Sequence, residues 1–200
     1  MIIVDVESSG VDTRLCSLLS LGAVEFENPA NTFYLECRIF DGAHCEKEAA
    51  EIHKFTPEQM KDPKKPTDKE LVDAFLHWMR DCKEWTLAGQ NVSFDRDFLM
   101  EAAHRYHIDW PLAQRTVDLH SIAFYHMTKR GVELPKKNNH SGLNLDAILE
   151  YVGVPILREN GHNALEDAKL EAEAFSRFFK GRGLIADYSR FPVPVELTSV

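Results

Sequence analysis

Asp5 and Glu7 stand two residues apart in the opening run from Ile2 to Glu7, an apolar, β-branched stretch with strand character. Side chains on a strand alternate between its faces, so both carboxylates point the same way and form a platform for a cation, while Val4 and Val6 turn towards the core. Asp95 falls at the start of a predicted helix in GQNVSFDRDFL, where a negative charge also suits the helix N-terminus for local reasons. Asp167 falls in the first turns of the last predicted helix, in GHNALEDAKLEAEAF, among Glu166, Glu171 and Glu173, a context that equally suits an exposed acidic face. His162 precedes it in a Gly-Asn loop. Carboxylate oxygens are hard ligands suited to Mg²⁺ or Mn²⁺, and a pair of such ions can stabilise both the attacking and the leaving oxygen of an in-line displacement. A neutral imidazole, with an unperturbed pKa of about 6.5, can take the remaining proton near neutral pH.

These residues need a scaffold, and the periodicity of the chain predicts one. LLSLGAVEF, Leu18 to Phe26, and TFYLECRIF, Thr32 to Phe40, continue the strand character of the opening, with Asn28, Pro29 and Asn31 marking a turn, so three antiparallel strands lead the chain. The period then changes. Leu71, Val72, Phe75, Leu76 and Met79 recur at helical spacing in DKELVDAFLHWMRDC behind Thr67 and Asp68 as caps. Trp85 to Gly89 reads as a short buried strand, a helix follows Ser93 with Phe94, Phe98, Leu99, Ala102 and Tyr106 on one face, and Thr116 to Leu119 is a further short strand. Leu145, Ile148, Leu149 and Val152 define a helix capped by Asn144 and closed by Gly153, and Ala168, Ala172, Phe175 and Phe179 define the last long one. Leading strands followed by alternating helices and strands predict a single α/β domain, a mixed central sheet covered by helices, over residues 1–180. Residues 181–200 read as an irregular tail, and Lys129 to Gly142 as a basic, polar loop.

Composition narrows the function classes. With 200 residues, 44% hydrophobic and 28% charged, the chain has the make-up of a globular domain with one sizeable core. It contains no apolar run of transmembrane length and no signal-peptide pattern at its start, so the cytoplasm is the expected compartment and no membrane partner is expected. Cys16, Cys37, Cys45 and Cys82 are scattered without a CxxC pair, which fits reduced packing thiols rather than a zinc site. A net charge of −9 argues against a protein that coats nucleic acid through a broad basic surface. Cations held by carboxylates reconcile that charge with a phosphate ligand, because they become the positive groups that face it.

In order along the chain, DVESSG, NVSFD and HNALEDA resemble the three motifs of the DEDDh, or DnaQ-like, 3′-to-5′ exonuclease superfamily. AEIHKFTPEQ is similar to that family's Ile-His-Gly-Ile-Thr segment, TVDLHSIA to its Val-Asp-Thr-Leu strand and SGLNLDAILEYVGV to the helix before its third motif, so the resemblance covers residues 1–180. It implies an RNase H-like fold, two divalent cations, Mg²⁺ or Mn²⁺, and hydrolysis of terminal phosphodiesters at single-stranded 3′ ends to nucleoside monophosphates. Matched by motif, Asp5, Glu7, Asp95 and Asp167 are the implied ligands. His162, five residues before Asp167, is the implied general base. The same matching makes Ser8, Ser9, Gly10 and Val11 substrate contacts after the first motif, with Asn91 and Phe94 from the second and His53 from the Ile-His segment. Gln90 stands where the family has histidine, and Lys54 and Phe55 replace its small and aliphatic residues. Phe94 and Phe98 also suit the core, and the basic loop with Lys129, Arg130, Lys136 and Lys137 suits either strand phosphates or solvent. A non-catalytic module that binds nucleic acid or a polymerase, and a phosphohydrolase of small nucleotides, are the other readings open to this sequence. DNA or RNA preference, a polymerase partner and a homodimer all stay open.

Overall fold

The computed structural model describes residues 1–155 and 162–198. Three strands, β1 (Ile2–Ser8), β2 (Leu18–Glu25) and β3 (Thr32–Glu36), pair antiparallel as the sequence predicts. Two short helices, α1 (Lys47–His53) and α2 (Pro57–Met60), lead to α3 (Asp68–Trp78), whose entry is fixed by a reciprocal box: Thr67 accepts the Glu70 N–H and Glu70 accepts the Thr67 N–H. Then come β4 (Leu87–Gly89), α4 (Ser93–Arg105), β5 (Val117–Asp118), α5 (Leu119–Lys129), the hairpin β6 (Lys136–Lys137) and β7 (His140–Ser141), α6 (Leu145–Tyr151), α7 (Ala164–Lys180) and α8 (Val195–Thr198). The main sheet runs β3-β2-β1-β4-β5, with β4 and β5 parallel to β1.

The sequence expectations differ from this structure at several edges. The third strand stops at Glu36 rather than Phe40, and α3 passes into a 3₁₀ turn, Met79–Asp81, rather than running to Cys82. The segment after Asp118 is a helix that the apolar pattern did not predict, opened by the Asp118 side chain accepting the Ser121 N–H. The basic loop contains a two-stranded hairpin.

Alternation along β1 divides the core in two. Ile2, Val4 and Val6 pack on one side of the sheet with Leu71, Phe75 and Leu99 of α3 and α4. Ile3 packs on the other with Ala168, Ala172 and Phe175 of α7. Asp5 and Glu7, in register with Ile3, therefore face the α7 side. Gly22 pairs with Asp5 across β1 and β2, and a Cβ there would lie 2.2–2.3 Å from the backbone of Ala164 and Leu165. The first turn of α7 can approach the sheet beside Asp5 only because residue 22 has no side chain. Beyond α7, buried Arg177 pairs with Glu173 at 2.7 Å and donates to the Val152 and Phe191 carbonyls, while Glu173 accepts the Leu184 and Ile185 N–H groups. Residues 181–198 thus return to the body, where Leu197 is buried. Among the described residues no helix is long and apolar enough to cross a membrane, and Cys16, Cys37, Cys45 and Cys82 are all free thiols.

Candidate active site

The site forms where the parallel part of the sheet ends. β4 pairs only with Ile2 and Ile3, so β1 extends past it and its later N–H groups on that side lack a ladder partner. Asp95, in the first turn of α4, fills the gap: its Oδ1 accepts the Val6 N–H at 2.9 Å. A crevice at the carboxyl ends of parallel strands is where open α/β sheets bind ligands. The β1–β2 register also shifts between Glu7 and Ser8, and such irregularities re-aim side chains beside sites.

α7 brings in the remaining predicted groups. Asn163 caps it by accepting the Leu165 and Glu166 N–H groups, which places Asp167 one turn in. His162, immediately before the cap, is tied to α1 by its N–H to the Ile52 carbonyl, and its Nδ1 lies 3.0 Å from Asp167 Oδ2. Ligand atoms of Glu7, His162 and Asp167 lie within 4.8 Å of one another. The exposed acidic face that the sequence also allowed is not what forms: Asp167 and Glu171 are buried on the side of α7 that meets the sheet, and Glu173 is buried on another side by Arg177 and the Leu184 and Ile185 N–H groups.

A cleft of about 280 Å³ opens over these groups. Of the residues expected to meet substrate, Ser8, Gly10, Val11, His53, Asn91 and Phe94 line it, together with Asp5, Glu7, Asp95 and His162. Ser9 does not. It is 1% exposed, its hydroxyl donates to the His44 carbonyl and accepts the Ser17 N–H, and it serves to pin the loop after β1. Phe94 and Phe98 divide the two roles open to them: Phe98 is core, whereas Phe94 borders the cleft with its ring 4.9 Å from that of Phe98. His53 Nδ1 accepts the Phe55 N–H, which puts the proton of the neutral ring on Nε2, and burial holds its pKa below the usual value. Val11 and Ile52 stand 70% and 51% exposed at the rim, available as apolar contacts.

Electrostatically the site is strained. Burial, then Glu171, Asp95, Glu7 and Asp167, push the Asp5 carboxyl well above the usual carboxylate range. Burial pushes Asp95 up to about 7 against the opposing hydrogen bond from Val6. Burial, with Asp95 and Asp167 nearby, raises Glu171 likewise. No Lys or Arg is among the described residues that line the cleft. Uncompensated carboxylates at this density are costly, and a phosphate would be repelled by them. An all-oxygen donor set with an adjacent imidazole therefore fits hard divalent cations, which relieve both the repulsion and the sign mismatch.

Three contributors escaped the sequence reading. Glu46 reaches across from the segment before α1 to accept the Val11 N–H at 3.2 Å. Asp118 accepts the Asn91 N–H at 2.8 Å, holding a residue whose φ is +59°. Glu171 accepts the Gln90 N–H at 3.1 Å. None has a local signal, since each acts on a residue at least 27 positions away.

The sequence model of an exonuclease family, RNase T, matches residues 2–175. Ribonuclease T of Vibrio vulnificus is 26% identical over 193 residues, covering 87% of this chain and 81% of its own. A PolC-type DNA polymerase III of Thermotoga maritima is 24% identical over 178 residues, 88% of this chain but 12% of the polymerase. Among solved structures, an E. coli exonuclease I complex with single-stranded DNA, in a zinc-bound form, superposes with a TM-score of 0.68 at 19% identity, over 90% of this chain and 41% of that one. Cell-death related nuclease 4 gives 0.69 at 16%, over 91% and 64%. The chain thus spans most of ribonuclease T and less than two thirds of these other proteins, and with the two solved nucleases it shares the RNase H-like fold.

Proposed function

The chain belongs to the RNase T exonuclease family, and from that membership together with its converged acids we propose that it removes nucleoside monophosphates from the 3′ ends of single-stranded DNA or RNA. Asp5, Glu7, Asp95 and Asp167 would hold two divalent cations, Mg²⁺ or Mn²⁺, and His162 would act as general base. The observation that carries this reading is that Asp5 and Glu7 of β1 and Asp95 of α4 line one cleft with His162, whose imidazole meets Asp167 of α7, with no Lys or Arg among the described lining residues. When bound, the cations supply the positive charge that a phosphodiester needs in order to enter and be cleaved.

The chain's own groups have separate tasks. His162, 39% exposed, faces the cleft while its Nδ1 is held by Asp167, so its ring is oriented for proton transfer at the site where a water would attack. Asp95 is fixed by the Val6 N–H, so it need not move on loading, and Glu7 is aimed at the same side as Asp5 by its place on β1. Val11 and Phe94 offer apolar faces on which a terminal base can pack, which favours an unpaired end over a duplex.

The direct experiment measures mononucleotide release from end-labelled single-stranded DNA, RNA and a dinucleotide, with Mg²⁺ or Mn²⁺ and with Asp5→Ala as control. Stepwise shortening from the 3′ end by the unaltered protein alone is the expected result. Binding without cleavage would indicate a non-catalytic module, and cleavage of nucleotides alone a small-molecule phosphohydrolase.

A further inference from the structure

Glu171 is 2% exposed and lies one helical turn beyond Asp167 on the same face of α7. One carboxyl oxygen, Oε1, accepts the Gln90 N–H at 3.1 Å. The other, Oε2, has no hydrogen-bond partner among the described residues. It lies against Gly89 at the end of β4, beside Gln90 of the cleft lining: a Cβ on Gly89 would lie 2.7 Å from the Val4 carbonyl oxygen and 3.1 Å from Glu171 Oε2. Of the acids around Asp5, Glu171 bears on it most strongly, and it bears on Asp95 through the same buried space.

A structural role does not explain a carboxylate here. Holding the Gln90 N–H requires one neutral acceptor, which a glutamine of the same size would provide without placing another charge beside buried acids. The second oxygen is the costly feature, because a buried polar atom without a partner loses its hydration for nothing in return. Cations bound in front of it would supply that return.

We propose that Glu171 is a fifth acidic group of the metal centre, a positioning residue that fixes the Gln90–Asn91 turn with one oxygen and strengthens divalent-cation binding at Asp5 and Asp95 with its charge. The inference rests on the cation-binding part of the proposed function and on no claim about the substrate. Glu171 lies against Gly89 and Gln90 at the end of β4 and does not line the cleft, so it acts through Asp5 and Asp95 rather than on a nucleotide.

The test is Mn²⁺ binding to the full chain by calorimetry without nucleic acid, for the unaltered protein and for E171Q, E171D and E171L. E171Q keeps the size and the acceptor, and it should melt no lower than the unaltered chain in EDTA. It should nonetheless bind Mn²⁺ about tenfold to a hundredfold more weakly, the usual consequence of losing a group that supports metal ligands. E171D, which restores the charge, should recover part of that loss. Equal Mn²⁺ affinity for E171Q and the unaltered chain overturns the proposal, as does weakening in E171L alone, which would mark Glu171 as a hydrogen-bonded anchor. No Mn²⁺ binding by the unaltered chain overturns the cation reading itself, and Glu171's role with it.

Discussion

His162 Nδ1 lies 3.0 Å from Asp167 Oδ2, the imidazole 39% exposed and the carboxylate 3%. The helix that carries the acid thus also orients the base that precedes it. His162→Ala should lower turnover by about two to four decades, the usual contribution of a general base, with substrate affinity nearly unchanged. Single-turnover cleavage compared with binding in Ca²⁺ separates the two quantities. Unchanged turnover would remove His162 from the chemistry.

Asp95 closes the end of β1 and sits among the acids, and its two roles separate under substitution. Asp95→Asn keeps an oxygen for the Val6 N–H but removes a charge that burial disfavours. Metal-dependent cleavage should be abolished, while the metal-free protein gains on the order of 1–3 kcal/mol at pH 8. Chemical denaturation in EDTA reads the second effect. A variant both inactive and less stable would show that the carboxylate is needed for the fold.

The same strain sets a pH dependence opposite to that of paired surface acids. Asp95 titrates near 7 in the folded protein, against about 3.9 in an unfolded chain. Between those values the folded state holds the extra proton, so stability is greatest at the acid end and falls as pH rises from about 4 to about 7. Asp5 and Glu171 are shifted in the same direction and add to the fall. Cations bind the deprotonated acids, so the rise in Tm on adding Mn²⁺ should be larger at pH 8 than at pH 5, with protons released on binding. Melting curves at both pH values, with EDTA and with Mn²⁺, check both slopes. A metal-free Tm contribution that climbs from pH 5 to 8 would contradict the raised carboxyls.

Gly22 is where fold and site are joined. A methyl group there would lie 2.2 Å from the Ala164 backbone, a contact that α7 can escape only by moving off the sheet. Gly22→Ala should cost about 1–3 kcal/mol, as overpacking does, and should also reduce the Mn²⁺-induced rise in Tm, since Asp167 and Glu171 travel with α7. A variant that loses stability but keeps its full response to Mn²⁺ would show that the helix re-seats.

What the sequence conveyed follows from how local each signal is. Asp5 and Glu7 were legible because period two on a strand is a property of neighbours, and Asn144 and Thr67 because caps act within one turn. α5 was not predicted, since Phe124 and Tyr125 lie exposed on it and blur the apolar stripe that Leu119, Ala123 and Met127 would otherwise draw. The burial of Asp167 and Glu171 was hidden because it depends on Gly22, far away in the chain, which lets their helix descend, and that of Glu173 because it depends on the returning segment at Leu184 and Ile185. Ser9 matched a motif position, yet its hydroxyl is committed to His44 and Ser17, contacts that no motif records.

The basic hairpin offers the last test. Lys136 and Lys137 stand exposed on β6, and Ser141 of β7 meets His120 Nε2 at 2.9 Å, two residues after Asp118, which holds Asn91 at the cleft. If a single strand leaves the cleft past Asn91 towards this hairpin, its phosphates meet these lysines. Replacing both lysines by glutamine should weaken binding of long single strands in Ca²⁺ and make its salt dependence shallower by about 1.4 in log–log slope, at about 0.7 per phosphate contact. Turnover of a dinucleotide, too short to reach the hairpin, should be unchanged. An unaltered salt slope would mean that the lysines only solvate the loop. Equal loss on dinucleotide and long strand would mean that the substitution acts through His120 and Asp118 on the cleft itself.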